Sequence, residues 1–217
     1  MIDILPLLEP ELEKTIDSLN RTEFAPDPIA GPHFSRMVSL LSSSYKRHGY
    51  ILERSILEAI KAHDGVQAWR EEAFRVSNTA DMLVASALAD PLSIADAHLT
   101  YSAGHRAIQV DVIMYREADK SATAYEVKRA SGYHDAGKRR SMLRDALCVK
   151  VLLRDYVKQR GLDVGKTNSH IIFYYGKMSV GPPIGLRGGA LDEHFGFPVL
   201  EQVEIPTLTL PERRTGS

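Results

Sequence analysis

The sequence of 217 residues predicts an α/β fold, a mixed β-sheet with helices packed against it. Three observations carry that expectation. Two runs rich in β-branched and apolar residues, Ala107 to Tyr115 and Ala122 to Ala130, flank a polar turn from Arg116 to Ser121, the pattern of an antiparallel hairpin. A long stretch over 136–160 then repeats apolar residues at helical spacing (Met142, Leu143, Ala146, Leu147, Val149, Leu153, Tyr156) and stops at Gly161. A further apolar run, Ser169 to Tyr175, reads as a buried strand. The composition, 44% hydrophobic and 25% charged, is that of a globular domain and excludes a disordered tail, a collagen-like fibre and a coiled-coil rod.

The remaining elements follow in chain order. A short helix is expected over about 9–20, stopped before the proline-rich loop Ala25 to Pro32. Helical spacing resumes at Met37, Leu40, Leu41 and Ser44, and again from Tyr50 to His63. Glu71 to Val76 reads as a short strand, and Thr79 to Ala89 as a helix that must end before Pro91. Residues 176–198 are rich in glycine and proline, and a last strand is expected over Glu201 to Leu210. The order is helix, three strands, helix, strand.

Cys148 is the single cysteine, so no disulfide can form within the chain; its apolar surroundings predict burial as a small hydrophobe. The first residues, Met1 to Pro6, lack the basic segment of a signal peptide, and no apolar run is long enough for a membrane span, so a cytoplasmic protein is expected. With 27 Lys and Arg against 28 Asp and Glu the net charge is −1, which by itself points away from nucleic acid. The distribution reverses that inference. From Lys128 to Arg160 there are ten basic and three acidic residues, a net +7, which leaves −8 on the rest. Such a run often marks only a solvated helix face, but this one adjoins an acidic cluster.

That cluster is Asp111, followed after 14 residues by Glu126-Val127-Lys128. On a strand Glu126 and Lys128 share a face and Val127 takes the other, and the hairpin brings Asp111 beside them. Two converging carboxylates repel unless one is protonated or a cation lies between them. A hard divalent ion with oxygen ligands, Mg²⁺ or Mn²⁺, meets that need, with the carbonyl of Val127 as a further ligand and Lys128 free to stabilise phosphate charge. The plain alternative for Glu-Val-Lys is an edge strand with solvated charges. Glu53 adds to the cluster: on a helical wheel it falls inside the apolar stripe of Leu52, Ile56, Ala59 and Ile60, whereas Arg54, Glu58 and Lys61 lie on the polar side. A carboxylate there needs a metal or a buried salt bridge.

Val110-Asp111, Glu126-Val127-Lys128 and the preceding helical Glu53 together resemble the PD-(D/E)XK nuclease superfamily over roughly residues 45–176. Val110 stands at the motif's proline, a position the family allows to vary. The compact chain and glycine-rich C-terminal part look most like a type II restriction endonuclease. The resemblance implies a restriction-endonuclease-like core (αβββαβ), a mixed central sheet flanked by helices, in a single nuclease domain over 1–217. Within it, 1–44 is an N-terminal helical extension, 45–176 the catalytic core and 177–217 a C-terminal loop and strand elaboration. It further implies Mg²⁺-dependent hydrolysis of phosphodiester bonds in double-stranded DNA by a homodimer. Asp111, Glu126 and Glu53 are then metal ligands with Val127, and Lys128 is the catalytic lysine. A structure- or end-specific nuclease of repair, recombination or transposition is the alternative within the superfamily. A non-catalytic nucleic-acid-binding subunit of the same fold is the alternative outside it.

Weaker signals point to DNA contacts. Arg129, Lys138, Arg139 and Arg140 surround the start of the basic helix, where Tyr133-His134-Asp135 supplies an N-cap and a histidine. Arg187 in the glycine-rich segment, and Tyr101, His105 and Arg106 before the Asp111 strand, are candidates for base readout. His98, His170 and His194 show no metal-binding spacing, and Trp69 is expected in the core.

Overall fold

A computed structural model describes residues 4–21, 28–29, 31–129 and 134–204. Their contacts divide into two compact units, residues 1–59 with 198–217, and residues 60–197. The first unit holds helix α1 (Leu5–Arg21) and nearly all of helix α2 (Gly31–Lys61). α2 is one continuous helix of 31 residues, where the spacing predicted two separate stretches. Gly49, at which the pattern weakens, is accommodated inside the helix. Ile51, Leu52, Ile56 and Ile60 form its buried stripe. Glu58, expected on the solvent side, is only 12% exposed and pairs with Arg54 at 3.3 Å. Ser18 accepts a hydrogen bond from Arg47 at 2.9 Å and ties α1 to α2.

The second unit is an α/β sandwich built on a five-stranded open mixed sheet in the order β1-β2-β3-β4-β5. β1 (Val66–Val76) pairs antiparallel with β2 (Arg106–Arg116), and β2 antiparallel with β3 (Ser121–Lys128). β3 lies parallel to β4 (Lys166–Phe173), and β4 parallel to β5 (Gly185–Arg187). Helix α3 (Asn78–Ala87) intervenes between β1 and β2, capped by Ser77, whose hydroxyl accepts from the Ala80 amide. Helix α4 (Ala136–Gln159) makes the crossover from β3 to β4 that a parallel pair requires. It stops where Gly161 takes a φ of 82°, open to glycine at no steric cost.

Alternation sorts the sheet into two faces. Ile113 and Tyr115 with their partners Ala124 and Ala122 face α4, whose Leu147, Val151, Leu152 and Leu153 complete the core. Each such buried aliphatic side chain stabilises the fold by ~1.5–3 kcal/mol. Cys148 is fully buried in the same layer, as expected. On the opposite face, Tyr125 packs against His170 of β4 and against His194 and Phe195 of helix α5 (Leu191–Phe195). Trp69 is half-buried at the rim of the core, donating to the Tyr156 hydroxyl at 3.0 Å beneath the Arg160 guanidinium.

Two expectations for the C-terminal part need correction. The glycine-rich segment is not one long loop; it contains β5 and α5. The strand expected over 201–210 is absent at its start: residues 200–204 are helical, and 205–210 lie outside the described residues. Val199 and Val203, both buried and four apart, follow helical spacing, with the Val203 amide bonded to the Val199 carbonyl at 3.1 Å. Among the described residues no helix is long and apolar enough to cross a membrane.

Candidate active site

Asp111 sits midway along β2, and Glu126, Val127 and Lys128 close β3. The recorded ladder between these strands runs from Arg116↔Ser121 to Val112↔Tyr125, and Asp111 and Glu126 come one step later. There the side chain of Asp111 takes over. Its Oδ2 accepts the Val127 amide at 2.8 Å, and its Oδ1 accepts the Gln109 side-chain amide at 2.8 Å. Asp111 is 4% exposed, so these two bonds are what makes the burial of its charge tolerable. Glu126 and Lys128, on one face as predicted, form an ion pair with Nζ 2.5 Å from Oε1. Both remain about a quarter exposed, at 27% and 28%, and so open to a ligand.

Two carboxylates are available on this part of the sheet, one buried and one ion-paired. Asp111 spends one lone pair of each oxygen on its hydrogen bonds, and Glu126 offers a second carboxylate one residue from the amide that Asp111 holds. Mg²⁺ is commonly bound by one or two carboxylates and keeps several waters. A fuller protein cage is not present: among the described residues no three His, Cys, Asp or Glu side chains gather to hold a metal. Glu53 lies half-buried on α2 in the other compact unit, so it is described with that helix alone. Val127 is buried, with its amide committed to Asp111.

The basic residues gather near this point. Asp135 caps α4 by accepting the Lys138 amide at 2.9 Å. His134 is tied to Ser179, whose hydroxyl accepts the His134 amide and lies 3.0 Å from Nδ1. Burial first, then the charges of Lys138 and Lys128, hold the His134 imidazole below its usual range. Lys128 and the start of α4 therefore share one positive neighbourhood, with Lys138, Arg139 and Arg140 exposed along it. Tyr133 lies outside the described residues. Arg129 is half-buried, with its guanidinium 5.8 Å from the centre of the Tyr175 ring. Arg187 is exposed on β5, and the registers Lys128↔Phe173 and Phe173↔Arg187 set it in the same row as Lys128. Two strand spacings, about 10 Å, separate their backbones.

The segment before β2 is structural rather than poised for readout. Arg106 grips Asp81 with two bonds of 2.8 Å and reaches Asp145 at 2.8 Å, and His105 lies 3.1 Å from Asp81. The Arg106 hydrogen bonds hold the Asp81 carboxyl down to about 2. Tyr101 packs edge-on to Tyr156, and its hydroxyl accepts the Arg75 amide. Sequence reasoning missed Gln109 and Asp145. Gln109 orients Asp111, and Asp145 lines a narrow cleft with Gln109 and Glu126. The available signals were Gln109 two residues from Asp111 on one strand face, and an acid between the apolar positions of α4.

The chain matches no family model, no curated protein and no solved structure.

Proposed function

We propose that this chain is a Mg²⁺-dependent endodeoxyribonuclease of PD-(D/E)XK type that cuts double-stranded DNA, acting as a restriction enzyme and as a homodimer. The observation that carries the reading is that Asp111 holds the amide of Val127, the residue between the ion-paired Glu126 and Lys128, where the β2–β3 ladder gives out, with the basic start of α4 alongside. The order α2, β1, β2, β3, α4, β4 supports it, with α3 as an insertion between the first two strands. For the dimer, the support is an exposed apolar stripe on α2 formed by Phe34, Met37, Val38 and Tyr45.

Each residue has a part in this reading. Asp111, fixed by Gln109 and the Val127 amide, keeps a lone pair on each oxygen for the metal. Glu126 supplies the second carboxylate. The bound Mg²⁺ would polarise the phosphate and lower the pKa of its water. Lys128 offsets negative charge as it develops on the phosphate oxygens. Lys138, Arg139 and Arg140 hold the DNA backbone without regard to sequence, and Arg129 and Arg187 extend that contact along the sheet end.

The test is digestion of a long plasmid with Mg²⁺. Discrete bands are expected; cutting only at branches, nicks or ends would assign a structure-specific nuclease instead. No cleavage together with retained DNA binding would support the non-catalytic subunit.

A further inference from the structure

Between α4, β4 and residues 180–184 lies a cavity of about 350 Å³. Leu143, Leu147, Val180 and Ile184 give it mostly apolar walls, while Asp90, Ser169, Asn168, His170 and the half-buried Lys150 add polar groups. Burial pulls the Lys150 ammonium below its usual range. The cavity shares Leu143, Val180 and Gly181 with a more open hollow lined by Arg139 and Arg140. An apolar chamber with a few polar groups therefore adjoins two exposed guanidinium groups.

That juxtaposition selects its ligand. Asp90 offsets the Lys150 charge on the cavity's own wall, whereas the lining of the open hollow carries Arg139 and Arg140 and no acid, which favours an anionic end there. A bare hydrocarbon tail would cover Ser169, Asn168 and Lys150 without bonding them, a desolvation cost that a heteroaromatic ring with donors and acceptors on its edge avoids. Chambers of this size and lining are typical of small-molecule sites. We propose that the cavity receives a nucleotide, its base between α4 and β4 and its phosphate on Arg139 and Arg140. The nucleotide is either free or a unit turned out of a DNA strand; the second source rests on the nuclease reading.

Two measurements in EDTA test this. Calorimetric titration with each of the four deoxynucleoside monophosphates reads the free source. The emission of 2-aminopurine placed in a duplex, read alongside fluorescence anisotropy, reports the strand source. Heat with at least one nucleotide, or an emission rise on duplex binding, is expected. Arg139→Ala with Arg140→Ala should weaken that signal about tenfold or more, and Leu143→Trp should remove it by filling the chamber. Duplex binding by anisotropy with unchanged emission and no nucleotide heat up to ~5 mM would overturn the proposal and leave the nuclease reading standing. Nucleotide heat without duplex binding would support it and overturn DNA as the partner; neither signal would overturn both. Decanoate binding more tightly than any nucleotide would also overturn it.

Discussion

Asp111 does two things at once. In the proposed mechanism it is a metal-binding acid, and through Val127 it replaces a backbone bond at the point where two strands part. Asp111→Ala should therefore abolish cleavage and also destabilise the fold by ~1–3 kcal/mol, because the Val127 amide and the Gln109 side chain lose their acceptor. Asp111→Asn, which keeps an oxygen for Val127, should be equally inactive yet closer to the parent in its urea midpoint. Parent-like cleavage by either variant in Mg²⁺ would sink the mechanism. Lys128→Ala should slow turnover far more than it weakens DNA binding, since its role lies in the developing charge; equal losses would make it a mere phosphate contact. Cys148, fully buried and pushed up to about 12 by that burial and by Asp81, should resist alkylation in the folded protein and react only in denaturant.

At the scale of elements, the hairpin, α4 and β4 were legible because each pairs a strong period with a clear stop: β-branched runs around a polar turn, and an amphipathic stretch ending at Gly161. The same alternation rule correctly set Glu126 and Lys128 on one face. β1 begins five residues before the predicted strand because Val66 to Arg70 alternates only weakly and is held by pairing with Ile113 to Arg116. β5 is three residues long and exists by pairing with β4, which no local pattern can announce. The Asp81–Arg106–Asp145 bridge joins α3, β2 and α4, and its partners are too far apart in sequence for spacing to reveal. α5 carries a pH dependence. Burial, then His170 and Arg116, depress the His194 imidazole from 6.5 to about 4. Below pH 6.5 the unfolded chain binds a proton that the folded chain refuses, so stability should fall as pH drops from about 6.5 to about 4 and then level off. His194→Gln should flatten that part of a plot of urea midpoint against pH; an unchanged slope would refute the assignment.

At the scale of the whole molecule, a net charge of −1 conceals a +7 stretch, and the structure gives that stretch a use for its own interior. Arg144 lies 3.8 Å from Asp145, and Arg154 donates to the Gly165 carbonyl at 2.7 Å, so part of the positive charge is structural. The exposed remainder at Lys138, Arg139 and Arg140 should dominate nonspecific attraction to DNA. Replacing Arg139 and Arg140 by alanine should weaken binding to all sequences and reduce the slope of log affinity against log salt by about two, near one per lost phosphate contact. A slope unchanged by the double substitution would move the DNA surface elsewhere. The dual duty of Asp111 also sets an order of decay. In a lineage released from the need to cut, Glu126 and Lys128 could drift first, because their ion pair is partly exposed and such pairs add little stability. Asp111 would be retained longer by folding alone, so its presence in a distant descendant would testify to ancestry rather than to activity.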